Sequence, residues 1–175
     1  RPRRRQRAVR EGPVEIDAKV RAVFCQPSLS HRSQEFISRF EAVRAALAGM
    51  TGARHVALLN GSGTLANDAV ASCLEGPGVV LVNGEFGNRL ARQAERWNLP
   101  IRVVEWSWGV PWDLDRVAGE LDGAEWVWAT HLETSTGMVN DIAGLIELAQ
   151  AKGVRVALDC ISSLGAVPVD LTRVW

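Results

Sequence analysis

The sequence predicts an α/β fold: a mainly parallel sheet covered by helices on both faces, giving three layers in the order αβα. Three observations predict it. Runs such as Val79-Val80-Leu81-Val82 are apolar throughout, as strands buried on both faces must be. These runs alternate with segments of helical period. Polar, hydroxylated and small residues gather where each run ends, the edge at which such sheets bind ligands.

Taken in order, Gly12-Pro13-Val14 signals a turn, and residues 15–24 read as a short helix or an arm. Pro27 and the serines after it keep the chain irregular up to Ser30-His31-Arg32-Ser33. Phe36, Ile37, Phe40, Val43 and Leu47 then recur at helical spacing, with Ser33 as N-cap and Gly49 as stop. Residues 55–60 read as a buried first strand, ending in Gly61-Ser62-Gly63-Thr64 and a helix through Leu74. Val79–Val82 is a second strand, followed by a helix through Leu90, Ala94 and Trp97. Ile101–Ser107, Glu125–Thr130 and Arg155–Leu158 are three more, separated by helices opening at Asp113 and Asp141. Trp106 and Trp108 alternate, as do Trp126 and Trp128, so each pair is expected on one strand face as packing.

The chain has 175 residues, 47% hydrophobic and 23% charged, with zero formal net charge, which suits a soluble domain and argues against a polyanionic partner. Arginines at 1, 3, 4, 5, 7 and 10 form a basic extension over residues 1–11, expected to be disordered. Residues 12–54 are expected to be an arm and amphipathic helix, and residues 55–175 a ligand-binding α/β domain. No apolar run approaches a membrane span, so no membrane partner is expected. Cys25, Cys73 and Cys160 are odd in number and lack CxxC spacing, which suits a reducing cytoplasm and argues against disulfides and zinc.

The glycine turn before a helix offers free backbone N–H groups, a positive helix end and two hydroxyls, so its natural guest is a phosphate. Gly61-x-Gly63-x-x-Ala66, with Glu85 for a ribose hydroxyl, also fits a nicotinamide-dinucleotide site. That reading leaves the Thr130–Gly137 loop and Asp159 without a role. A Walker-type site is excluded because no Gly-Lys-Ser/Thr occurs.

Gly12-Pro13, Ser30-His31-Arg32-Ser33-x-Glu35-Phe36, Gly61-Ser62-Gly63-Thr64, Asn83-Gly84-x-Phe86-Gly87-x-Arg89, His131-x-Glu133-Thr134-Ser135-Thr136-Gly137 and Asp159-x-x-Ser162-Ser163-x-Gly165-x-x-Pro168-x-Asp170 follow one another in this order. The series resembles the class V aminotransferases of the alanine–glyoxylate and serine–pyruvate type, pyridoxal-phosphate enzymes of fold type I. The resemblance implies that Ser62, Gly63 and Thr64 hold the cofactor phosphate, that Phe86 stacks on the pyridine ring and that Ile161 packs on its other face. It further implies that Thr134 hydrogen-bonds near the ring's phenolic oxygen and that Asp159 pairs with the ring nitrogen. His31 and Arg32 would lie near the active-site mouth, or form a plain surface turn; His131 reads as a buried structural histidine. The implied activity moves an amino group from a small amino acid such as alanine or serine to a 2-oxo acid such as glyoxylate or pyruvate, in a homodimer. An aminoethylphosphonate transaminase, a desulfurase-like relative, a nicotinamide-dinucleotide-binding domain and a non-catalytic interaction module are the alternatives.

Such chemistry needs a lysine for the Schiff base. The chain has Lys19 and Lys152, neither in the family's lysine motif, which would fall beyond Trp175. The sequence therefore reads as an incomplete large domain, truncated before its catalytic lysine and its C-terminal domain. Alone it is expected to be inactive and to bind pyridoxal phosphate weakly or not at all.

Overall fold

The computed structural model describes residues 15–174; the basic extension of residues 1–11 and the Gly12-Pro13 turn lie outside them. The chain divides into two compact units, one ending at Glu41 and one beginning at Ala42.

The first unit opens with α1 (Ala18–Val23), capped by the Asp17 carboxylate, which accepts from the Lys19 N–H at 2.8 Å. A turn held by the Ser33 N–H and hydroxyl, both donating to the Ser30 carbonyl, leads to α2 (Gln34–Thr51). Ser33 caps this helix as the sequence predicts, its Oγ accepting from the Phe36 N–H at 3.2 Å. Gly49 does not stop it. The helix continues to Thr51 and is followed by Gly52 at φ 72°, the left-handed position that glycine takes readily. The apolar residues recur as predicted, but Ile37, Phe40 and Val43 stay exposed.

In the second unit, the expected first strand is absent. Residues 55–60 carry the apolar composition of a strand but form no ladder and are largely exposed. A strand exists only by sharing its N–H and C=O groups with a neighbour. Here the Val56 carbonyl instead accepts from the Arg44 side chain at 2.8 Å.

After α3 (Gly63–Ala71), the chain builds a four-stranded sheet from β1 (Gly78–Val82), β2 (Ile101–Glu105), β3 (Trp126–Thr130) and β6 (Arg155–Asp159), in the order β2-β1-β3-β6, parallel throughout. Helix α4 (Glu85–Arg96) connects β1 to β2, α5 (Leu114–Glu120) connects β2 to β3, and α6 (Ile142–Ala151) precedes β6. A small antiparallel hairpin, β4 (Leu132–Glu133) and β5 (Met138–Val139), fills what the sequence showed as the Thr130–Gly137 loop.

The two faces of the sheet carry separate cores, so the three-layer expectation holds. Val79, Leu81, Val127, Ala129 and Val156 pack against Val117, Leu121, Leu145 and Ile146 of α5 and α6. Val80, Val82, Trp126 and Trp128 pack against Ala71, Leu74, Leu90 and Ala94 on the α3/α4 side. Trp126 and Trp128 share a face and are fully buried, as their spacing predicts. Gly78 makes room for Trp126: a Cβ there would lie 2.1 Å from its ring. Trp106 and Trp108 depart from the prediction. Strand β2 ends at Glu105, so Trp106 turns into the core under the Arg116 guanidinium while Trp108 sits exposed in a turn.

Candidate active site

The connections fix where a ligand can sit. From β1 the chain runs outward to β2, and from β3 it runs the other way to β6, so a crevice opens between β1 and β3 at their carboxyl ends. Register brings Thr130 and Asp159 level at that edge. Beneath the crevice, the buried pair Asn83 and Asn140 joins the strand ends. Asn83 Nδ2 donates to Asn140 Oδ1 at 2.7 Å, and Asn140 Nδ2 donates to the Thr130 carbonyl at 2.9 Å.

Two helices begin here, and their first turns differ. At α3, Ser62 occupies the N-cap without a side-chain cap, and its carbonyl accepts from the N–H groups of Leu65 and Ala66. The N–H groups of Gly63 and Thr64 are therefore available to an external anion. Gly63 also admits Ile161: a Cβ on Gly63 would lie 2.5 Å from Ile161 Cδ1. From below, the buried Gln93 holds the turn, donating from Nε2 to the Thr64 carbonyl at 2.9 Å.

At α4, the protein supplies the anion itself. The wholly buried Glu133 accepts through Oε2 from the N–H groups of Phe86 and Gly87, both at 3.0 Å. Through Oε1 it accepts from the Ser135 hydroxyl at 2.6 Å and the Ser135 N–H at 3.2 Å. Ser135 Oγ in turn accepts from the Glu85 N–H at 3.0 Å. Gly84 is needed for this approach, since a Cβ there would lie 2.4 Å from Glu133 Cγ. The arrangement fixes the first turn of α4 and, with it, Phe86. Glu85, on the same turn, pairs with Arg89 at 2.9 Å and Arg92 at 3.0 Å, and Arg89 above all holds its carboxyl below the usual range.

Asp159 completes the group. Its Oδ1 accepts from the Ile161 N–H at 3.0 Å and its Oδ2 from Asn67 Nδ2 at 3.1 Å. Gly63, Thr64, Asn67, Phe86, Arg89, Gln93, Asp159 and Ile161 together line a cleft of about 200 Å³. The Arg89 guanidinium lies over the Phe86 ring, 4.9 Å from its centroid. The cleft thus combines open amides, an aromatic ring, a carboxylate and an exposed branched apolar side chain.

The model of the family described as aminotransferase class-V matches residues 18–174. The chain belongs to that family. An uncharacterised aminotransferase of Helicobacter pylori is 30% identical over 169 residues, which are 93% of this chain and 46% of that protein. A 2-aminoethylphosphonate–pyruvate transaminase of Pseudomonas aeruginosa is 32% identical over 134 residues, 73% of this chain and 36% of that protein. Among solved structures, an aspartate aminotransferase of Thermus thermophilus matches with TM-score 0.86 and 29% identity, over 91% of this chain and 47% of that one. An alanine–glyoxylate aminotransferase of Nostoc matches with TM-score 0.82 at 24% identity, over 91% of this chain and 44% of that one, which shows the shared fold. The chain spans about half the length of the curated relatives that match nearly all of it.

Against this family background, the structure gathers Gly63, Thr64, Phe86, Asp159 and Ile161 in one cleft. Ser62 and Thr134 are exposed and lie next to its elements without lining it, Thr134 on the turn between β4 and β5. His31 and Arg32 are exposed in the turn before α2, in the first unit. The sequence does not single out Asn67 and Gln93, which no local pattern marks, and it shows Glu133 only as a member of the His131–Gly137 motif, without a role. Their partners, distant along the chain, give them one. His131 is buried, and burial pushes its imidazole below the usual range. It lines a separate, larger cavity of about 460 Å³ beside α6, with Asp141, Asp170 and Arg173. Lys152 follows α6 just before β6 begins, at the opposite edge of the sheet, where its Nζ pairs with Asp122 at 2.5 Å. Lys19 belongs to α1 in the first unit.

Proposed function

We propose that this class-V aminotransferase family member is part of a pyridoxal-phosphate enzyme that moves an amino group from a small amino acid to a 2-oxo acid. The observation that carries the reading is the cleft itself, where the uncapped start of α3, Phe86 and Asp159 face one space. A dinucleotide site would use the first but has no need of the other two. The donor set suits the phosphate, ring and ring nitrogen of pyridoxal phosphate, and Gly63, lacking a Cβ, lets the Ile161 side chain lie against the start of α3.

In this reading, Ser62, Gly63 and Thr64 bind the phosphate, and Phe86 and Ile161 enclose the ring. Thr134 reaches the phenolic oxygen, and Asp159 holds a proton on the ring nitrogen. With that nitrogen protonated, the cofactor serves as an electron sink for the substrate's α-carbon. Glu133 keeps Phe86 in place by fixing the first turn of α4. Assembly as a homodimer and a place in the cytoplasm are part of the same proposal. The relatives in Pseudomonas favour aminoethylphosphonate as a second donor class.

The chain itself has no lysine at this edge of the sheet among the described residues, so its binding is expected to be non-covalent, weak and without turnover. Titration of the ¹⁵N-labelled chain with pyridoxamine 5′-phosphate tests this. The amides of Gly63 and Thr64 and the Phe86 ring are expected to shift together and saturate in the millimolar range. No saturable shift at these residues overturns the proposal. So does a stoichiometric pyridoxyl adduct on Lys19 or Lys152 after incubation with pyridoxal 5′-phosphate and reduction by borohydride, found by mass spectrometry.

A further inference from the structure

Asp159 has its two carboxylate oxygens held by different parts of the chain. Oδ1 accepts from the Ile161 N–H two residues on, a local turn contact. Oδ2 accepts from Asn67 Nδ2, 92 residues away on α3. An ionised carboxylate only accepts, so the Asn67 carboxamide must turn its NH₂ inward. Each oxygen keeps lone-pair capacity for a further donor. With one donor on each oxygen, the carboxylate cannot rotate freely about its Cβ–Cγ bond.

Asn67 lies one helical turn beyond Gly63, and residues four apart share a helix face. One rigid helix therefore carries both the open amides at its start and, about 6 Å along its axis, the donor that fixes Asp159. The neutral amide orients the carboxylate without placing a formal charge beside it. A lysine or arginine here would form a full ion pair with Asp159 and compete with a protonated ring for it.

We infer that Asn67 is the positioning residue for Asp159, tying the orientation of the ring-nitrogen carboxylate to the helix that receives the phosphate. The inference rests on the cofactor reading above. It makes α3 a ruler: a ligand's anionic group and its protonated nitrogen are matched to one helical turn.

The test uses the 175-residue chain and two probes: pyridoxamine 5′-phosphate, and its analogue with the ring nitrogen replaced by CH. Asn67→Leu removes the donor at similar size. Asn67→Asp keeps the shape and puts a like charge on Asp159, so it serves if the leucine variant fails to fold. Asn67→Leu is expected to weaken pyridoxamine 5′-phosphate roughly fivefold, the scale of one net hydrogen bond, and Asn67→Asp more. Asn67→Leu should leave the analogue's affinity unchanged, and Asn67→Asp should weaken the analogue less than it weakens pyridoxamine 5′-phosphate. Equal losses for the two probes, or none, overturn the inference while leaving the cofactor reading intact. If the unsubstituted chain binds neither probe, the cofactor reading fails and the assignment falls with it. A probe-free measurement adds a separate check: Asp159→Ala should shift the Asn67 side-chain NH₂ resonances, and unmoved resonances overturn the contact.

Discussion

The helices α3 and α4 start side by side at the same cleft, with opposite solutions to the same problem. Every helix leaves its first N–H groups without partners and its N-terminus partly positive. At α4 a buried carboxylate from the β4–β5 hairpin fills that place, with Glu133 accepting from Phe86, Gly87 and Ser135. At α3 no side chain does so, and the turn is mostly exposed. The first arrangement is closed and structural; the second is open and suited to an outside anion. A glycine-rich helix start thus indicates a ligand only when the protein has not supplied the anion itself.

The largest expected effect comes from removing the internal anion. Glu133→Ala leaves several buried donors unsatisfied and should destabilise the chain by about 3 kcal/mol, read from urea unfolding. A change within error would mean that the cap is energetically idle. Next, the same substitution at each helix start should give different results. Gly84→Ala drives a methyl into Glu133 and should cost about 2 kcal/mol. Gly63→Ala meets only the flexible, exposed Ile161 side chain and should stay within about 0.5 kcal/mol. Equal costs at the two glycines would erase the contrast.

Hydrogen exchange reads the same difference without substitution. The Phe86 and Gly87 amides should exchange on the order of tenfold or more slower than those of Gly63 and Thr64. Adding inorganic phosphate should slow only the latter pair. Slowing at Phe86 instead would place the anion at the wrong helix.

The smallest effect concerns His131, two residues before Glu133. Its Nδ1 is buried without a hydrogen-bond partner among the described residues, whereas Glu133 has its donors in place. Burial lowers the imidazole's affinity for a proton, so the unfolded chain binds that proton more readily than the folded one. Stability is therefore present above the ordinary histidine range and is lost as pH falls below about 6.5. The slope should stay below about 1.4 kcal/mol per pH unit, and His131→Asn should flatten it between pH 5.5 and 7.5, measured by urea midpoints. An unchanged slope in that variant would assign the pH dependence to other groups.

Much of the fold was legible because it is written locally. Ser33, Asp113 and Asp141 cap the helices at which the sequence places them. The apolar runs of β1, β3 and β6 form parallel strands, and Asp159 stands at a strand end as read. Residues 55–60 show the limit. Their composition suits a strand, but pairing needs a second segment, and composition contains no information about which one is present. Trp108 shows another, since alternation of side chains holds only while the strand continues. At the site, Phe86, Thr64 and Asp159 stood out by type and position, whereas the donors and acceptors that fix them did not.

By itself the sequence determined the order of the helices from α2 onward and of the four parallel strands, the buried face of each central strand, and the glycine turn that opens α3. These depend on residues within a few positions of each other, where periodicity, capping and backbone freedom act directly. The tertiary structure alone decided that Glu133 would close the start of α4, that Gln93 would brace Thr64 and that Asn67 would reach Asp159. Such contacts join residues 29 to 92 positions apart. Their existence depends on strand order and helix packing, which bring together side chains that no local pattern relates.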